Sequence, residues 1–309
     1  MLLIAPINES TPNSMKRIMT DRRRVPAGRT AVRLVCGLAA WIGPAFAQSS
    51  PPAGSWAERS AAAETAQPDW IAPLVTPSAR LGNEIKYDQS RDRLRDGGTL
   101  DSFGGGRGAD LILDPSLGIT LGVPPYEQRS GARSAQGFGD WPLLRVRRRL
   151  VAANADDGDY ILTAMLQVAA PTGAAAFSAG AWSLYPALAF GKGWSGFDLQ
   201  GTVGAALPAG HLQEVGTAAL TNLTLQYHAL PPLWPEVEIN HTWWADGPRG
   251  GKSQLFLTVG VALGRLPLAQ GLRSTVGVGY QKAISPAYRP SPLLPAYEDG
   301  WILSTRVSF

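Results

Sequence analysis

The last ten residues of the chain, Gly300 to Phe309, read GWILSTRVSF and constrain the fold more than any other segment. Apolar and aromatic residues alternate there with mainly polar ones, and the chain stops on an aromatic residue. Such a strand suits a wall with hydrocarbon outside and water inside. Hydrocarbon offers no hydrogen-bond partner to backbone N–H and C=O groups, so the protein must pair them itself. Strands therefore span a membrane only as a closed barrel. An edge strand of a soluble sandwich alternates in the same way, so the other strands must decide.

Ten more segments carry a similar pattern, and in residues 254–263 leucine or valine fills every second position. Strands of about 9–11 residues are the length that a tilted membrane crossing needs. The fold class predicted is therefore all-β, a transmembrane antiparallel up-and-down β-barrel. Single-chain bacterial barrels have an even number of strands, so we expect a twelfth strand missed or merged before residue 110, with ten strands as the alternative. The strands are predicted near 81–90, 110–122, 141–151, 159–169, 181–190, 196–207, 218–228, 236–245, 253–263, 271–282 and 300–309.

The N-terminal residues predict export. Seven basic residues precede the apolar run 34–46, and Ala45-Phe46-Ala47 provides a small-residue cleavage site before Gln48. This pattern is typical of a secretory signal peptide, here residues 1–47, with translation starting at Met15 or Met19. Residues 48–79 are rich in Ala, Pro and Ser and are predicted to form a flexible periplasmic segment. Residues 80–309 then form the barrel, located in a bacterial outer membrane.

Charge and residue usage argue against other function classes. The chain has 28 Lys and Arg, 24 Asp and Glu and a pI near 9.3. Residues 1–47 hold 7 of the basic and 2 of the acidic residues, so 21 and 22 remain after cleavage, which gives no support for nucleic-acid binding. The single cysteine, Cys36, lies in the signal peptide. His211, His228 and His241 are scattered and no G-x-S-x-G motif is present, so we expect no enzyme, no metal site and no cofactor.

Charged residues share faces on two predicted strands. Arg145, Arg147 and Arg149 share one face of a strand, and the other face holds Leu144, Val146 and Leu150 together with Arg148. Glu236 and Glu238 share a face opposed by Val237 and Ile239. Two interpretations remain open: a charged constriction that selects permeants, or a network of Arg–carboxylate pairs that braces the interior. The candidate lumen-lining residues are Arg145, Arg147, Arg149, Glu236, Glu238, Asn240, Gln226 and Arg273.

Several motifs resemble a known family. They are GVPPY (122–126), GFGDW (137–141), PTG (171–173), GKGW (191–194), LQYHALPPLWPEVEIN (225–240) and the terminal Phe309. Together they are similar to the "MetA pathway of phenol degradation" or transporter-like outer-membrane family, over most of residues 81–309. The resemblance implies a barrel sometimes associated with aromatic-compound catabolism, without established catalytic residues.

Two function classes follow from the pattern and this resemblance. The first is a passive channel or transporter for small hydrophobic or aromatic compounds, and the second is a structural or surface-interaction barrel with a plugged lumen. About eight strands are filled by side chains and 16–18 leave a water channel, so a barrel of ten or twelve strands fits either class. The expected partners are outer-membrane lipid, the assembly machinery that accepts a C-terminal aromatic strand, and a small-molecule permeant.

Overall fold

The computed structural model describes residues 54–269, 271–285 and 297–309, so the predicted signal peptide lies outside the described residues. Within them, twelve antiparallel strands form a closed barrel, because the last strand pairs with both its predecessor and the first strand. The wall strands are β1 (Glu84–Arg93), β3 (Gly108–Asp114), β4 (Leu117–Gly122), β7 (Trp141–Ala153), β8 (Tyr160–Ala170), β9 (Ser183–Trp194), β10 (Phe197–Pro208), β11 (Ala218–Tyr227), β12 (Leu233–Trp244), β13 (Ser253–Ala269), β14 (Leu272–Ser285) and β15 (Asp299–Ser308).

The prediction of a twelve-stranded transmembrane barrel is confirmed, but the merged strand is not before residue 110. The predicted strand 110–122 is two strands, β3 and β4, joined by a tight turn at Pro115 and Ser116. The Ser116 amide donates to the Asp114 carboxylate at 2.7 Å and fixes this turn. Only two residues separate the strands, and apolar residues lie on both sides of them. The sequence pattern therefore resembles one long strand.

Three short strands extend the wall beyond the ends of β3, β4 and β7. They are β2 (Thr99–Phe103), β5 (Tyr126–Arg129) and β6 (Ala135–Phe138), paired in the order β1-β2-β5-β6. The breaks that separate them from the wall strands contain Gly104, whose φ of +80° favours glycine, and the pair Pro124-Pro125. We assign this end as extracellular, because the connections at the other end, which holds Glu84 and Ser308, are short.

The two faces of the wall differ as a membrane barrel requires. Outward residues are apolar and exposed, such as Val203, Val259 and Trp301 at 52, 55 and 59%. Aromatic rings stack at the periplasmic rim, where the centroids of Phe197 and Tyr227 are 4.5 Å apart. In the described part of the chain, no helix has the length and apolar character to cross a membrane.

The sequence predicts a flexible periplasmic lead over 48–79, but its described part, residues 54–79, is folded and packed against the wall. Residues 56–65 form the helix α1 (Trp56–Thr65), which begins with a reciprocal cap between Ser55 and Glu58. Residues 66–83, here called the inserted segment, then run inside the barrel to the start of β1. Apolar side chains of this segment are buried against inward-facing residues of the wall. A composition rich in Ala, Pro and Ser favours a flexible segment. The wall residues that bury this segment are distant in the sequence, so the composition does not reveal them.

Candidate functional site

The inserted segment occupies the periplasmic half of the lumen without joining the sheet. Trp70, Ile71 and Ala79 are at most 5% exposed and pack against Ile161 and Met165 of β8, among others. An irregular backbone inside a membrane barrel needs partners for its N–H and C=O groups. Side chains of the wall provide them.

Two glutamates of β12 accept hydrogen bonds from the amides at the innermost turn of the segment. The Leu74 amide donates to Glu236 at 3.1 Å, and the amides of Val75 and Thr76 donate to Glu238 at 2.9 and 2.7 Å. Glu236 and Glu238 are 2 and 0% exposed. Charge-assisted bonds to backbone amides are among the stronger hydrogen bonds in proteins, so these carboxylates fix the position of the segment.

Side chains of β11 complete the surroundings of the two carboxylates. Gln226 donates to Glu236 at 2.5 Å, and the Thr224 hydroxyl lies 3.0 Å from Glu238 and 2.8 Å from the Thr76 hydroxyl. Gln226 was predicted to line the lumen, and it does so as a fully buried support for Glu236.

Two of the predicted arginines, both on β7, bind the inserted segment and the helix that precedes it. Arg147 donates to the Arg80 carbonyl at 2.8 Å and forms an ion pair with Asp110 at 2.9 Å. Arg149 donates to the Ala63 carbonyl at 2.7 Å. Ala63 lies in the last turn of α1, where carbonyls lack an intrahelical partner, so Arg149 stabilises the end of this helix.

The arginine and glutamate faces therefore do not form pairs with each other in the described structure. They lie on β7 and β12, five strands apart in the barrel order, and the inserted segment lies between them. The arginines donate to carbonyls of the segment and helix, and the glutamates accept from its amides. Neither sequence interpretation anticipated this use of the two faces.

The remaining predicted residues have different surroundings. Asn240 lies in a chain of amides, donating to Asn222 at 3.1 Å and accepting from Gln281 at 3.0 Å. Arg145 donates to Gln167 of β8 at 2.9 Å.

Arg273 lies on the inward row of β14, in register with Ser308, but at the rim of the barrel and not deep in the lumen. It is exposed at the periplasmic end of β14, close to α1. Burial raises the pKa of Glu64 in this helix, while the charges of Arg80 and Arg273 lower it. Among the described residues, no three His, Asp or Glu side chains are arranged to hold a metal ion.

Inward-facing glycines provide the space that the segment fills. A Cβ added at Gly260 or Gly277 would lie 2.4 Å from a methyl group of Leu74, and one at Gly279 would lie 2.7 Å away. A Cβ at Gly191 would lie 2.4 Å from the Trp70 ring. Carbon atoms cannot approach so closely, so these wall positions exclude larger residues while the segment is in place.

The wall residues that hold the segment were mostly missed by sequence reasoning. Gln200 donates to the Ile71 carbonyl at 2.9 Å, Thr163 to the Ala79 carbonyl at 2.6 Å, and Arg306 to the Pro73 carbonyl at 2.7 Å. One signal was available. The run WIAPLVTP at residues 70–77 is apolar but divided by prolines, which indicates a packed irregular segment rather than a flexible one.

The extracellular mouth contains a second apolar cluster. Phe177, in the connection between β8 and β9, is fully buried against Leu94 and Leu100. Tyr297 borders this cluster and stacks on Phe256 of β13, with ring centroids 4.7 Å apart. The β8–β9 connection thus packs against the β1–β2 hairpin at the mouth.

Known proteins resemble this chain in fold but not in sequence. The sequence matches no protein-family model and no curated protein. An outer-membrane channel from Pseudomonas putida F1 has a similar structure, with a TM-score of 0.52 and 15% identity over 77% of this chain and 99% of the other. The NanC porin gives 0.47 and 7% identity over 74 and 98% of the two chains. The KdgM porin gives 0.44 and 8% identity over 73 and 99%.

The protein is an outer-membrane β-barrel. Its closed wall, its apolar outer face and the similarity to the P. putida channel agree on this fold. The comparisons do not bear out the resemblance to the phenol-degradation family, because no family model matches.

Proposed function

We propose that this protein is a passive outer-membrane channel and that the structure represents its closed state. One observation carries the proposal: the inserted segment occupies the periplasmic half of the lumen but contributes no strand to the wall. From residue 71 to residue 80, wall side chains bind its backbone. Backbone groups of the wall bind it only at Asn83, next to the start of β1, among the described contacts. Displacing the segment would therefore leave the ladder of the barrel whole. The protein of similar fold from P. putida is also named a channel.

The compounds that we propose as permeants are small hydrophobic or aromatic molecules. This class rests on the motif resemblance, GFGDW, PTG and GKGW above all. The two aromatic residues at the extracellular mouth, Phe256 and Tyr297, are compatible with it.

A second candidate function is a structural barrel that never opens. The buried hydrogen bonds that hold the segment from both sides of the lumen favour it, since a carboxylate and an arginine each bind the segment backbone. The two functions differ in whether the segment can leave its site.

A reversible disulfide can distinguish them. The hydroxyl oxygens of Thr76 on the segment and Thr224 on the wall are 2.8 Å apart, so Thr76→Cys with Thr224→Cys places two thiols within bonding reach. Cys36 is the only native cysteine and lies in the predicted signal peptide. The matched control is Thr202→Cys with Asn222→Cys, two neighbouring wall residues whose side chains are 2.7 Å apart.

A channel should conduct in planar bilayers only when the first pair is reduced, and the control pair should conduct in both redox states. Uptake of phenol into proteoliposomes should follow the same pattern. Absence of conductance and uptake in the parent, the reduced pair and the control would favour the structural barrel.

A further inference from the structure

Arg145 differs from the other two arginines on its face. Arg147 forms an ion pair with Asp110 and donates to the Arg80 carbonyl of the inserted segment, and Arg149 donates to the Ala63 carbonyl of α1. Arg145 lies farther toward the extracellular end of β7. Its hydrogen bonds in the described structure go to Gln167 alone. Arg145 thus stands above the inserted segment and takes no part in holding it.

Arg145 and Gln167 both retain unused donors. Nε and Nη2 of Arg145 share one acceptor, Oε1 of Gln167, so the guanidinium Nη1 and the Gln167 amide NH₂ have no acceptor among the described residues. Both side chains are partly exposed on the lumen face. A guanidinium carries five N–H donors in a planar fork and an amide carries two. Several donors are therefore available to a ligand that reaches this part of the lumen.

The positive charge of Arg145 is not neutralised by an ion pair in the described structure. Asp110, the carboxylate nearest along this wall, is paired with Lys86 at 2.5 Å and with Arg147 at 2.9 Å. Arg145 is not within ion-pair distance of it or of another described carboxylate. A cation in a confined lumen without a partner attracts an anion strongly.

An aromatic ring lies next to these donors. Gln167 pairs in register with Arg145 on one side and with Tyr185 of β9 on the other. Neighbouring strands are about 4.8 Å apart, so the three residues form an inward row about 10 Å long. This row presents a guanidinium, an amide and a phenol ring in sequence. A flat molecule with a carboxylate at one end matches its order and length.

We propose that Arg145, Gln167 and Tyr185 form a binding site for small aromatic carboxylates on the extracellular side of the inserted segment. Arg145 and Gln167 bind the carboxylate as a planar fork, and the Tyr185 ring contacts the aromatic part. The inference rests on the proposed channel function, because it names the permeants that this lumen selects. The site itself can be tested at equilibrium, without transport.

The test is calorimetric titration of benzoate and of benzyl alcohol into the full, detergent-solubilised protein. Benzyl alcohol has the ring but no charge. The parent should bind benzoate at least about tenfold more tightly, the effect of one charge-assisted hydrogen bond. Arg145→Gln should remove this preference, and Arg145→Lys should retain part of it, because lysine keeps the charge but lacks the fork. Tyr185→Leu should weaken both ligands.

Arg148→Gln is the matched control. Arg148 lies on the same strand but outside this row, and it pairs with Asp114 at 3.8 Å. It should bind both ligands as the parent does. Equal affinities in the parent, no benzoate binding at millimolar concentration, or a preference that survives Arg145→Gln in folded protein would each overturn the site. Benzoate binding without conductance in the disulfide experiment would support the site and refute the channel. Conductance without benzoate binding would support the channel and refute the site.

Discussion

At the scale of single residues, the interior combines glycines and carboxylates that fit one occupant. Gly260 and Gly277 leave room for Leu74, and Glu238 accepts the amides beside it. Each of these residues would look ordinary on its own strand. Their common feature is that they all contact the inserted segment.

Gly277→Val should expel the inserted segment while leaving the barrel intact. The new side chain would overlap Leu74, whose methyl group lies 2.4 Å from the added Cβ, whereas the ladder of β14 needs only the backbone. Limited trypsin digestion of the folded protein should then cut after Arg80, which the parent protects. Gly210→Ala, with open space around its Cβ, is the control. Protection at Arg80 equal to that of the parent would contradict the packing described.

Glu238→Ala should loosen the same segment by another route. The Val75 and Thr76 amides would lose their acceptor, and a buried unsatisfied donor costs about 1–3 kcal/mol. Hydrogen exchange at these two amides should accelerate at least about tenfold, since 1.4 kcal/mol corresponds to that factor. Glu214→Ala, which removes an exposed loop carboxylate bound to His211, should leave them unchanged. Unchanged exchange in Glu238→Ala would show that packing alone holds the segment.

At the scale of elements, the strands were predictable because lipid on one face enforces a period of two. Residues 254–263 show this most clearly, and the structure places them in β13. The turn at Ser116 and the inserted segment were not predictable by the same reasoning. The turn is too short to interrupt the pattern. The segment has no periodicity, because its residues contact several different strands of the wall.

Only part of the candidate site was predicted in residue identity, and none of it in role. Arg147 and Glu238 were identified from shared faces, and both do face the interior. Their partners are backbone groups of a distant segment, and backbone groups leave no trace in a sequence. Arg145 was grouped with Arg147 for the same reason, although the two have different partners.

The assignment of the lipid face predicts a depth-dependent cost along β13. Val259→Arg lies at mid-strand with its side chain 55% exposed on the outer face, and should destabilise the barrel by about 2–4 kcal/mol. Leu268→Arg lies near the periplasmic end of the same strand and should cost at most about 1 kcal/mol. Urea titrations of folding into lipid vesicles measure both. Equal costs would mean that the membrane does not lie where the outer face indicates.

At the scale of the whole molecule, barrel closure and lumen occupation meet at one seam. β15 pairs with β14 and β1, Arg306 holds the Pro73 carbonyl, and the Phe309 amide donates to the Asn83 carbonyl at 3.1 Å. The C-terminal strand therefore contacts both the wall and the chain that enters it.

Deleting Phe309 should lower the yield of folded barrel. The deletion removes the bond to Asn83 and an aromatic ring 44% exposed at the periplasmic rim, where such rings anchor strands. The measurement is the fraction of heat-modifiable protein recovered from outer membranes. Phe309→Tyr keeps the ring and the amide and should behave as the parent. Equal recovery of the deletion variant would separate the terminal residue from assembly.

The seam also bears on the time that folding takes. Arg306 and Pro73 are separated by 233 positions along the chain, and Ser304 and Asp88 by 216. Contacts between such distant residues form only after a large loss of chain entropy, and proteins rich in them fold slowly. The residues that leave the secretion channel first must wait for the last ones before the lumen has a complete boundary. We therefore expect the contacts that shut the barrel to be among the last to form.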